Sequence, residues 1–129
     1  MSNEIYAFQL DEGYVPKERL FVRLSIKLIE ELKDIAEFES KKANEKISPN
    51  KLVLRMIQNF IKNDIEIKYV FELDERHVEK KRLCVYLPKE LNEKLKERIK
   101  LENKKFNKEI SKNKFVLNII QDFIKKEYE

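Results

Sequence analysis

Arg19-Leu20-Phe21-Val22-Arg23-Leu24 and, 63 residues further on, Arg82-Leu83-Cys84-Val85-Tyr86-Leu87 decide how this chain folds. In the first segment Leu20, Val22 and Leu24 share one face, and Arg19, Phe21 and Arg23 share the other. In the second, Leu83, Val85 and Leu87 oppose Arg82, Cys84 and Tyr86. Alternation with period two predicts a half-buried strand. A single strand leaves its backbone donors and acceptors unpaired, so each segment needs a partner, and its nearest likeness is the other segment. Antiparallel pairing of the two would turn both apolar faces onto one core.

Outward from these segments the same offset persists. Residues 5–64 align with 68–127 without a gap, and about half of the pairs are identical. Tyr6-Ala7-Phe8-Gln9-Leu10-Asp11-Glu12 recurs as Tyr69-Val70-Phe71-Glu72-Leu73-Asp74-Glu75, and Ile47-Ser48-Pro49-Asn50-Lys51-Leu52-Val53-Leu54 recurs as Ile110-Ser111-Lys112-Asn113-Lys114-Phe115-Val116-Leu117. The chain is an internal duplication with units 1–64 and 65–129. Two units are too few for a solenoid, and they suit a pseudo-symmetric pair that co-folds as one domain.

After each strand the period changes to three and four. Leu28, Leu32, Ile35, Ala36 and Glu39 predict a helix opening at Ser25, whose hydroxyl suits an N-cap, and Leu91, Leu95, Ile99 and Leu101 repeat the pattern after Pro88. A second helix opens at Ser48 with Pro49 in the first helical position, where a missing N–H costs nothing, and presents Leu52, Val53, Met56, Ile57, Phe60 and Ile61. Its counterpart runs from Ser111 through Phe115, Val116, Ile119, Ile120, Phe123 and Ile124. The segments 6–10 and 69–73 also alternate, which predicts an extra N-terminal strand in each unit, able to widen the sheet.

Composition narrows the function. One Cys and one His among 129 residues cannot build a disulfide framework or a structural zinc site, and Gly13, the sole glycine, cannot build a phosphate loop. His77 and Cys84 have no third partner to form a catalytic constellation, so no enzyme, cofactor, metal or small-molecule substrate is expected. No run approaches the length of a membrane helix, and the first residues lack the order of a secretion signal, so a cytoplasmic protein without a membrane partner is expected. The net charge is +4, from 28 basic and 24 acidic residues. That surplus is compatible with a polyanionic partner and equally with a solubilising surface.

Lys81-Arg82-Leu83-Cys84-Val85-Tyr86-Leu87-Pro88, followed by Leu91 and Leu95, and Ile110-Ser111-Lys112-Asn113 at the second-helix entry, together resemble the ribbon–helix–helix family of DNA-binding proteins, the Arc/MetJ/CopG type. The resemblance covers about 45 residues of each unit. It implies an α+β, mostly helical fold: two ribbon–helix–helix repeats forming one pseudo-dimer around an intrachain antiparallel β-ribbon. It also implies that the ribbon enters the major groove and reads base edges with Arg19, Phe21, Arg23, Arg82, Cys84 and Tyr86, and that Ser48, Asn50, Lys51, Ser111, Asn113 and Lys114 hold phosphate at the helix entries. The chain departs from the family's pattern in having Lys46 and Glu109 where a glycine usually precedes the second helix. The expected role is a sequence-specific binder of double-stranded DNA, a transcriptional repressor that can self-associate on its site. The alternatives are an accessory protein for a plasmid or viral origin, and an antitoxin-like protein-interaction module without DNA readout.

Overall fold

The alternating segments are strands and the segments spaced by three and four are helices, in the order β1 (Lys17–Ser25), α1 (Ile26–Ala43), α2 (Pro49–Lys62), β2 (Lys80–Pro88), α3 (Lys89–Phe106) and α4 (Lys112–Tyr128). The structure is a computed structural model that describes residues 16–66 and 79–128. The expected strands at 6–10 and 69–73, and His77, lie outside the described residues. β1 and β2 pair antiparallel, with Arg19 opposite Tyr86, Phe21 opposite Cys84 and Arg23 opposite Arg82. Cys84 is the counterpart of Phe21 in the duplication, so this pair marks the pseudo-twofold axis that relates the two units.

The fold class expected from the sequence is corrected here. A tandem pair of ribbon–helix–helix repeats needs two ribbons, and among the described residues there is one two-stranded sheet with four helices. The physical reason is the strand count: each unit brings a single strand, so the sheet is complete only when the units share it. What is duplicated is strand–helix–helix, and neither copy is a whole repeat.

Leu20, Val22, Leu24, Val85 and Leu87 are buried beneath this sheet against Leu52, Val53, Met56, Ile57 and Phe60 of α2 and Phe115, Val116, Ile119 and Ile120 of α4. Both units contribute to this one core, which Leu32 of α1 and Leu95 of α3 extend. Phe60 and Phe115 meet edge to face at its centre, 5.4 Å between ring centroids, an arrangement favoured by the ring quadrupoles.

The helix ends follow local chemistry. The hydroxyls of Ser25, Ser48 and Ser111 accept from the N–H groups of Leu28, Lys51 and Lys114 at 3.2, 3.2 and 3.1 Å, each an N-cap three residues ahead of its donor. α1 and α3 end on Asn44 and Asn107, both left-handed, with φ of 54° and 52°. Asparagine is the residue after glycine that tolerates this conformation, so both turns close without a glycine. Ser40 Oγ then accepts from the Ile47 N–H at 2.8 Å, and at the equivalent place Asn103 Oδ1 accepts from the Ile110 N–H at 2.7 Å. Different side chains thus hold the same turn in the two units. No helix among the described residues is long and apolar enough to cross a membrane.

Candidate nucleic-acid interface

The site begins with the parity of the ribbon. Just beyond the strands, the Ile26 N–H donates to the Glu79 carbonyl at 3.3 Å and the Lys89 N–H to the Pro16 carbonyl at 2.9 Å. Both pairs have the parity of the core-facing residues, so the ladder bonds fall on those pairs. The outward pairs are the non-hydrogen-bonded kind, which bring Cα atoms to about 4.5 Å and side chains closest together. Arg19 with Tyr86, Phe21 with Cys84, and Arg23 with Arg82 therefore stack as three rungs on one surface.

All six base-reading candidates lie on that surface. Arg19, Arg23 and Arg82 are exposed, Cys84 is half-buried, and Phe21 and Tyr86 retain 44% and 54% of their accessible surface. Phe21 is exposed at the centre of the ribbon's outward face. Its ring is flanked by two cations, the Arg82 guanidinium 4.9 Å and the Arg19 guanidinium 5.8 Å from its centroid. Both lie within cation–π range, so the ring holds the two guanidiniums beside the axis. Arg23 and Arg82 face each other directly, a like-charge pairing that costs stability when nothing anionic lies against it. Lys80 and Lys81, opposite Ser25 and Leu24, add further positive charge at that end.

The six phosphate candidates divide. Ser48 and Ser111 cap their helices, and Lys51 and Lys114 are exposed one turn in, at helix ends whose dipoles favour an anion. Asn50 and Asn113 do something the sequence reading did not foresee. The Asn50 side-chain amide donates to the Cys84 carbonyl, and Asn113 Oδ1 accepts from the Arg23 N–H at 2.6 Å. Each asparagine bonds the outer edge of the other unit's strand, so α2 is fastened beside β2 and α4 beside β1. The helix entries stand along the two edges of the ribbon for this reason. One signal for it was available: asparagine occupies this helix position in both copies, although the residue before it changes from Pro49 to Lys112.

A polar cluster occupies one end only. Asn92, 4% exposed, donates from Nδ2 to Glu18 Oε1 at 2.7 Å and accepts from the Lys112 ammonium. The bond from Asn92 holds the Glu18 carboxyl below its ordinary range, assisted by Lys96, Lys89 and Lys112, while burial pushes the Lys112 ammonium down. The counterparts of Glu18, Asn92 and Lys112 are Lys81, Ile29 and Pro49, so the pseudo-symmetric end cannot form the cluster.

Compared with protein-family models, curated proteins and solved structures, the chain matches none.

Proposed function

We propose that this chain binds double-stranded DNA sequence-specifically, with the ribbon in the major groove, and acts as a small transcriptional repressor. The observation that carries the reading is the outward ribbon face: three exposed arginines and two exposed aromatics on paired strands, with a helix N-terminus along each edge. A two-stranded ribbon fits the major groove, about 12 Å wide, where arginine can bond the O6 and N7 of guanine with both arms of its fork. Thymine methyl groups suit an exposed phenyl ring such as Phe21. The helix entries lie where a groove-bound ribbon meets the sugar–phosphate strands, and phosphate contacts there set register without reading sequence.

Selection from a random duplex library at about 50 mM salt tests this. Neutralisation of about six phosphates predicts that log K falls against log salt with a slope near −5. A chain that retains no duplex under these conditions is not a DNA-binding protein of this kind, and the protein-interaction alternative replaces the proposal.

A further inference from the structure

We infer that the ribbon reads a duplex site whose two halves agree at one position and differ at another, with Arg19 and Arg82 making the shared contact and Arg23 and Tyr86 the unlike one. The inference rests on the DNA-binding reading above and names the residues that set its specificity. Because the axis passes between Phe21 and Cys84, Arg19 is the counterpart of Arg82, and Arg23 the counterpart of Tyr86. The first pair is alike in type, and both guanidiniums lie within reach of the single Phe21 ring, Arg19 from its own strand at 5.8 Å and Arg82 from the partner strand at 4.9 Å. Each half of the groove therefore meets an arginine. The second pair is unlike in chemistry. Arg23 offers five donors and a fixed positive charge, whereas Tyr86 offers one hydroxyl at the end of an exposed ring.

One rung is therefore Arg23 with Arg82, and its counterpart is Tyr86 with Arg19. The first rung can bond two guanines, and the second can bond one. At the central rung neither Phe21 nor Cys84 supplies a strong donor, so the middle of the site is selected by apolar contact and by the shape of the duplex. The consensus should carry one guanine in each half through Arg19 and Arg82 and an additional guanine in one half through Arg23.

Exchange of the unlike pair tests this by selection from a random duplex library, with melting of each variant measured to establish folding. The wild type should yield a consensus that is asymmetric at the Arg23 position. Tyr86→Arg should make the flanking positions symmetric, with guanine in both halves. Arg23→Tyr should make them symmetric without it, at a loss of about 5–150-fold on the wild-type site. The double exchange Arg23→Tyr with Tyr86→Arg should restore the asymmetric consensus, since it returns one arginine and one tyrosine to the two rungs. A wild-type consensus that is already symmetric, or one that survives all three exchanges, overturns the inference and leaves DNA binding intact. Failure of the wild type to select any duplex removes the DNA-binding reading itself.

Discussion

Asn50 and Asn113 separate two roles that residue type alone runs together. A polar side chain at a helix entry is a natural phosphate ligand, yet these two bond strand edges at Cys84 and Arg23, while the neighbouring Lys51 and Lys114 stay exposed. Replacement of either asparagine by alanine should lower stability by about 1 kcal/mol, read by urea unfolding, and leave the salt slope of DNA binding unchanged. Lys51→Ala should do the reverse, with little effect on unfolding and a slope shallower by about one unit. If both substitutions move the same observable, the division of labour drawn here is wrong. Glu18 gives a second prediction at this scale. Its folded-state pKa lies below the ordinary 4.5, so its contribution is present above that value and is lost as the pH falls through the folded-state value. The stability of Glu18→Gln should accordingly depend less on pH in the acid range below about 4.5, measured by melting across a pH series.

At the scale of elements, the helix ends are where local chemistry substitutes for glycine. Asn44 and Asn107 stop α1 and α3 in the left-handed conformation. A β-branched residue there should cost about 1–2 kcal/mol, whereas Asn107→Gly should be neutral or stabilising, and thermal melting of the two variants decides it. Elements were the most legible part of the sequence. Period-two alternation placed both strands, and the capping serines with the three-and-four spacing placed the helices, because backbone geometry alone imposes those periods. The count of repeats was misread, since each unit brings one strand and is only half of the element the resemblance implied, so two units make one ribbon and not two repeats. The asparagine edge bonds join residues far apart in the chain, so spacing within one unit does not relate them, and the recurrence of asparagine at the same position in both units was their one sign.

For the molecule as a whole, a sheet and a core drawn from both units imply that the units unfold together. Phe60 of the first and Phe115 of the second touch at 5.4 Å, so Phe60→Ala should cost about 3–5 kcal/mol and shift a single transition without splitting it. Unfolding followed by fluorescence and by circular dichroism should coincide, and the midpoint should not move with chain concentration, as it would if the ribbon formed between two chains. Two resolved transitions would show that the units are independent bodies. The cluster of Glu18, Asn92 and Lys112 has a different consequence, one of ancestry. In a dimer of identical chains any substitution appears on both sides of the axis, so a buried asparagine would arrive twice and need its carboxylate and ammonium twice. A covalent duplicate is released from that constraint. Ile29 is buried as an apolar side chain in one unit while its counterpart Asn92 is buried beside a carboxylate and an ammonium in the other, so the joined halves differ and the protein has a distinct front and back.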